Sequence, residues 1–411
     1  STHCISSAAS DVYKRQMLAC AEAGADVIDA AIDSMSGLTS QPSMGAIVSS
    51  LEQMELGTGI SHDSIQRLNL YWSEVRQLYQ CFEQNVKASD SSVFDHEMPG
   101  GQYTNLMFQS QQLGLGSQWS EIKHAYMEAN MLCGDIVKVT PSSKVVGDLA
   151  QFMVANKLSA RDVEEHASTL DFPVSVVEFF QGFLGTPPGG FPEPLRTHII
   201  RNKERVDTRR GASLPPLDFD KIKSDLTVKY RRPMSECDAV SWAMYPKVFE
   251  EFQAFIEEFG DLSRMPTRFF LGKPKAGEEM HIPIEDGKLL IVKLLGLGPF
   301  HEATGMRDVL FELNSSPRSI SVKDLSASVE EVHHEKATSE PGSVGSPLAG
   351  VVVELKVKEG DAVKPGDAMF VMSAMKMETI VSAQIAGKVT RVAVKQNDSL
   401  SQNDLLCEIT P

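Results

Sequence analysis

The sequence predicts a multi-domain chain of α/β plus all-β class. It joins an incomplete (β/α) TIM barrel with a helical extension, a small α/β linker domain and a C-terminal flattened β-sandwich. Three observations predict this. Near the start, helices alternate with short apolar strands that run into long polar loops. Between 267 and 325 the pattern changes to paired strands with turns at "EDG" and "NSSP". The last stretch repeats itself: residues 344–372 align without a gap on residues 381–409.

The bulk numbers narrow the function. The chain has 411 residues, enough for two or three domains, and is 42% hydrophobic and 23% charged, as globular proteins are. A net charge of −16 and a pI near 5.1 argue against nucleic acid or an anionic membrane as partner, because both need a basic face. No apolar run approaches the ~20 residues of a membrane span. Six scattered cysteines without a CxxC pair read as reduced thiols of an intracellular protein, not as disulfides or a zinc site.

Residues 1–16 lack an initiator Met, a signal-peptide core and an Arg-rich amphipathic pattern, and they match poorly to the residues after them. Residues 17–265 are expected to form one domain. There "MLACAEAGADVIDAAI" predicts a helix ending at Gly24 and a buried strand from Val27 to Ile32, then the polar loop "DSMSGLTSQPS" and a helix from Met44. Helix, strand and long loop at the strand's C-terminal end form the unit of a (β/α) barrel. "VFDHEMPGGQYTNL" (93–106) reads as a strand end, a Gly-rich loop and a helix. "GDIVKVTPSSKVVGDLAQFMVANK" (134–157) reads as a short strand, a turn at Pro141 and a helix opened by Ser142 or Ser143. From 158 to 265, helical stretches alternate with Pro/Gly loops, a helical extension.

Residues 266–325 form the linker domain of strand pairs. Residues 326–343 are polar and aromatic-free, a linker whose His333–His334 pair has no partner at ligating spacing. In 344–411 the two repeats match at Ala349/Ala386, Gly350/Gly387, Val352/Val389, Val357/Val394, Asp361/Asp398 and Asp367/Asp404. The turn residues Gly360 and Gly366 become Asn397 and Asn403, which tolerate the same left-handed backbone. Each copy is too small to bury its own face, so the two should pair with approximate two-fold symmetry. Between them stands "SAMKMETI", with Lys376 at the handover from one half to the other. A lone lysine is usually a solvated surface group. At the tip of a rigid symmetric scaffold it is also well placed for covalent attachment.

"SAMKMET" resembles the biotin-attachment motif of biotin-dependent carboxylases, and Lys376 matches the modified lysine. Met375 and Met377 favour biotin over the lipoyl carrier, which shares the architecture but usually shows Asp-Lys-Ala at the tip. The sandwich is thus of the biotinyl/lipoyl type. Upstream, "DSMSGLTSQPSMG", "EMPGGQYTNL", "VKVTPSSKVVGDLAQFMV" and "GGFPEP" are similar to the carboxyltransferase domain of pyruvate carboxylases. The resemblance runs from Met17 to about Met265, with the family's allosteric and tetramerisation region at 266–325 and its biotin carrier at 344–411.

The resemblance implies a ligase reaction in which CO₂ passes from carboxybiotin on Lys376 to pyruvate, giving oxaloacetate. It implies Thr140 as the hydroxyl that relays a proton between the pyruvate methyl and the biotin ureido nitrogen. Read locally, Thr140 is equally a turn residue before Pro141. Ser143 and Lys144 match positions lining the biotin pocket, where local reading would have an N-cap and its solvated neighbour. A divalent metal, Zn or Mn, would polarise the ketone, and "STH" offers His3 as its candidate ligand here. ATP and Mg would act in a domain outside this chain. The implied partners are a biotin protein ligase and acetyl-CoA as activator, in a homotetramer located in the cytoplasm or the mitochondrial matrix. Two other readings compete. One is the α subunit of an oxaloacetate decarboxylase; the other is a carrier and assembly module without catalysis of its own, since a barrel lacking strands cannot close.

Overall fold

The computed structural model describes residues 3–4, 10–52, 54, 56–84, 86, 90–272, 274–301, 305–324, 334–338, 340, 342–374 and 377–411, with side chains from residue 15 onward. Its contacts divide the chain into two units. One comprises residues 1–213 with 333–411, and the other residues 214–332.

In the first unit, the parallel pair β1 (His3–Cys4) and β2 (Val27–Ile28) is joined by helix α1 (Ser10–Glu22). The strand expected over 27–32 is thus only two residues long, and Val27 is about half exposed. In the loop after β2, Asp33 organises the chain. Its Oδ1 accepts from Ser43 Oγ at 2.7 Å and from Gly45 N at 2.8 Å, which fixes the start of α2 (Met44–Glu52). A Cβ on Gly45 would collide with the Asp33 carboxylate, so a side chain here would push that carboxylate off the start of α2.

Then come α3 (His62–Leu78), α4 (Val93–His96), α5 (Gly100–Gln112), α6 (Trp119–Leu132), α7 (Ser142–Ala155), α8 (Ala160–His166), α9 (Val174–Gln181), α10 (Leu195–Ile200) and α11 (Arg210–Ser213). Two expected strands are absent here. Residues 93–96 form a helical turn, and 135–139 has no ladder, with Asp135 at a φ of 50° and Val137 and Val139 exposed. A short apolar run becomes a strand only when a neighbour supplies its hydrogen bonds, and among the described residues none lies beside these.

The core lies where α6 and α7 pack. Tyr126, Leu149, Phe152, Met153 and Phe180 are fully buried. On α7, Val145, Val146, Leu149, Phe152 and Met153 recur at helical spacing, and each such burial stabilises by about 1.5–3 kcal/mol. A Cβ on Gly147 would meet Gln102 Nε2 at 2.6 Å, so the glycine lets α5 approach α7 closely.

The second unit holds α12 (Phe219–Tyr230), α13 (Glu236–Met244), α14 (Pro246–Phe259) and α15 (Thr267–Leu271). Its antiparallel sheet runs in the order β3 (Glu279–Glu285), β4 (Lys288–His301), β5 (Met306–Leu313), β6 (Ser316–Lys323). The turns fall at Gly287 and at Asn314–Ser315, all with positive φ, where "EDG" and "NSSP" predict them.

The C-terminal sandwich, in the first unit, contains β7 (Ser343–Gly345), β8 (Gly350–Leu355), β9 (Ala362–Val363), β10 (Ala368–Ala374), β11 (Met377–Ser382), β12 (Gly387–Val392), β13 (Ser399–Leu400) and β14 (Leu405–Thr410). One sheet is ordered β11-β10-β8-β13 and the other β7-β14-β12-β9. Exchanging β7 with β11, β8 with β12, β9 with β13 and β10 with β14 turns one order into the other, which is the two-fold symmetry of the repeat. Val352, Met369, Phe370, Val389 and Leu406 fill the space between the sheets. Gly360, Gly366, Asn397 and Asn403 have φ of 98°, 92°, 71° and 64° at equivalent turns. The linker reading of 326–343 needs correction at its end. Leu405 N donates to Glu335 O at 2.7 Å, Ala337 N donates to Asn403 O at 2.9 Å, and β7 itself begins at Ser343. The earlier stretch 325–333, with His333, lies outside the described residues.

Candidate functional site

The start of α7 gathers three of the residues singled out in the sequence. Ser142 Oγ donates to Val137 O at 2.7 Å and Val139 O at 2.6 Å, tying the preceding turn to the helix. Neither Ser142 nor Ser143 caps the helix, because Pro141 holds the cap position with no side-chain hydrogen bond. Thr140 is exposed at this end, Ser143 is buried, and Lys144 is partly exposed. Lys144 is ion-paired with Asp148 one turn on, and Ser175 Oγ of α9 donates to Asp148 Oδ2 at 2.5 Å. Burial pushes the Asp148 carboxyl up, while Lys144 and Ser175 pull it down. Lys144 is thus committed to Asp148 within the first turns of α7, and Thr140 stands exposed just before the helix.

Opposite this turn, Lys138 Nζ lies 2.6 Å from Glu97 Oε2. Glu97 has a φ of 51° and leads into the "PGG" start of α5, where a Cβ on Gly100 would collide with Thr39 O. The "PGGQYTN" run is thus a close backbone approach to the loop after β2, not a phosphate loop. His96 is buried there. Its Nδ1 accepts from Met98 N at 3.0 Å, its Nε2 has no partner among the described residues, and burial lowers its pKa to about 4.

The β10–β11 hairpin of the sandwich is the second component. Ala374 pairs with Met377, and Met375 and Lys376 between them lie outside the described residues. Met377 is buried with Ala374 and Leu348, and Leu113 and Ala155 pack against them. Leu113 and Ala155 stand at the C-terminal ends of α5 and α7. Thirteen residues of α7 at 1.5 Å rise separate Ala155 from Ser142, so the hairpin lies about 20 Å along the helix from Thr140.

The structure therefore brings Thr140, Ser143 and Lys144 together and sets Met377 at the other end of the same helix. His3 belongs to β1, with its side chain outside the described residues. Among the described residues no group of three or more His, Cys, Asp or Glu could hold a metal ion. Sequence reasoning missed Asp148, though Lys144 at (i, i+4) signals it. It also missed Asp171 and Gln402, which carry no local signal.

Residues 93–293 match the family described as a conserved carboxylase domain, and residues 342–409 match that described as a biotin-requiring enzyme. The chain is 53% identical over 395 residues to a pyruvate carboxylase of Aspergillus terreus, covering 96% of this chain and 33% of that protein. It is 47% identical over 396 residues to the mitochondrial pyruvate carboxylase of Mus musculus, covering 96% of this chain and 34% of that protein. Among solved structures, the carboxyl transferase domain of Rhizobium etli pyruvate carboxylase with pyruvate and biocytin superposes with a TM-score of 0.70 at 39% identity, over 79% of this chain and 55% of that one. The chain spans about a third of the length of the curated relatives it matches. Joining a carboxylase domain to a biotin-requiring domain, at this identity and over nearly all of its residues, the chain belongs to the pyruvate carboxylase family.

Proposed function

We propose that the chain takes part in moving a carboxyl group, carried on biotin at Lys376, onto pyruvate to give oxaloacetate. The observation that carries this reading is a two-fold carrier sandwich seated on α7, with its β10–β11 hairpin at one end of that helix and Thr140, Ser143 and Lys144 at the other. Biotin attached at Lys376 would supply the carboxyl group. A hairpin flanked by the paired Ala374 and Met377 fits such an attachment. Thr140 then moves a proton to or from the substrate methyl, Lys144 and Ser143 line the approach, and Met375 and Met377 flank the attachment point. Asp148 positions Lys144.

The parallel unit β1–α1–β2 supports an incomplete (β/α) barrel for the N-terminal part and carries it back from the expected start at 17 to His3, with 266–325 and 344–411 as the domains that follow the stretch to 265. A divalent metal near His3, an ATP- and Mg-dependent partner domain, acetyl-CoA activation and a homotetramer belong to the same proposal, as properties of the whole protein. We place it in the cytoplasm, with the mitochondrial matrix as the alternative suggested by the mouse relative's name. The oxaloacetate decarboxylase alternative is not favoured, since relatives matching 96% of the chain are named as carboxylases.

The test begins with modification. Incubated with a biotin ligase, biotin and ATP, the chain should gain the mass of one biotin, and Lys376→Arg should gain none. A mass increase that persists in Lys376→Arg rejects the assignment.

A further inference from the structure

We propose that the segment Leu170–Pro173, between α8 and α9, is a docking seat for β11 of the carrier sandwich of the same chain, with Asp171 as its polar anchor. This rests on the carrier reading above, but its test needs neither biotin nor turnover. β11 is the outer strand of its sheet, and an outer strand presents N–H and C=O groups that no ladder satisfies. Its two-fold mate β7 is covered by the chain just before it: Ala337 crowds Gly345, and Thr338 N donates to Ser343 Oγ at 2.9 Å. The repeat offers β11 no such cover, because only residues 375–376 separate it from its own ladder partner β10.

The seat supplies it instead. Ser382 N donates to Asp171 Oδ2 at 3.1 Å, and Thr379 forms an antiparallel bridge with Pro173. Arg201 holds the segment in place, with Nη2 donating to Leu170 O at 2.6 Å and Nη1 3.8 Å from Asp171 Oδ1. Burial pushes the Asp171 carboxyl up, and the Ser382 N–H and Arg201 draw it back. A second anchor lies across the sandwich, where Gln402 Nε2 donates to Ala155 O at 2.6 Å. Leu348, Ala374 and Met377 meet Leu113 and Ala155 between the anchors. A cleft of 530 Å³ runs beside the seam, lined by Asn156, Asp171, Ser346 and Gln402. A contact made of a few polar anchors, one small apolar cluster and an open cleft is built to release, whereas a permanent interface is packed like a core.

Amide hydrogen exchange on the full chain tests the seat, because the Ser382 N–H is satisfied by Asp171. In the unaltered chain this amide should be protected. Asp171→Ala should speed its exchange ~10-fold or more, with the amides of Leu406 and Ile409 in β14 unchanged. Asp171→Asn keeps an acceptor oxygen and should retain most of the protection. If Asp171→Ala does not fold, Gln402→Ala serves, and it too should speed exchange at Ser382. Exchange at Ser382 that is equal in the unaltered and Ala chains, with β14 still protected, overturns the proposal. Protection that disappears on dilution also overturns it, since the occupant would then be a second copy.

Discussion

Thr140 and His96 show how differently two residues near one turn can be tested. Thr140 is exposed, and its hydroxyl holds up no packing. If it relays the proton, Thr140→Ala in a full-length enzyme should lower pyruvate carboxylation by ~10²–10⁴-fold and leave biotin-dependent ATP cleavage largely intact. Thr140→Ser should retain much of the activity. A Thr140 without part in the proton transfer predicts near-unaltered rates in both reactions for Thr140→Ala, since Pro141 and not Thr140 holds the cap of α7. His96 is a matter of stability. Its pKa is lowered to about 4 from 6.5 by burial, so the neutral ring favours the fold above pH 6.5. That contribution is lost as the pH falls from 6.5 through 4, and amounts to roughly 3 kcal/mol. Urea unfolding at pH 7 and pH 4.5 should show a smaller acid loss in His96→Gln than in the unaltered chain. Equal losses would show that the ring titrates as if exposed. His96 could not be singled out from the sequence, because its burial comes from elements that pack against α4, with Tyr103 of α5 beside its ring.

At the scale of elements, legibility followed hydrogen-bonding self-sufficiency. Helices bond within themselves, so the residues that start α2 and end α1 could be read from local text: α2 begins at Met44, and Gly24 has a φ of 95° just past α1. The turns of the sandwich were legible for a similar reason, since left-handed backbone selects Gly or Asn. This predicts the outcome at Asn397. Asn397→Gly should be close to neutral, while Asn397→Ala should cost about 1 kcal/mol in thermal unfolding. An Ala variant as stable as the Gly variant would show that the turn has relaxed. The strand expected at 27–32 formed only over Val27–Ile28, and those expected at the starts of 93–106 and 134–157 did not form, because a strand's partner lies elsewhere in the chain. The same dependence on a distant partner hid the role of Glu335, Lys336 and Ala337, which bond to Leu405, Asp404 and Asn403 of the sandwich.

For the molecule as a whole, the repeat makes a prediction about independence. The sandwich buries Val352, Phe370, Val389 and Leu406 between its own sheets, so it should unfold cooperatively when isolated. The bonds of Glu335 and Ala337, with the ion pair of Lys336 Nζ and Asp404 Oδ1 at 2.7 Å, predict that 334–411 melts several degrees higher than 344–411. Identical melting temperatures would return 334–343 to the role of a linker. By itself the sequence determined the repeat, its turns, its lysine-bearing hairpin and the apolar face of α7, because each is written in residues close together along the chain. Only the tertiary structure decided that Asp33 and Asp171 are the carboxylates that hold α2 and β11. An aspartate's role is set by the donors that folding places around it, and a separation of 211 positions between Asp171 and Ser382 leaves no local trace of their meeting.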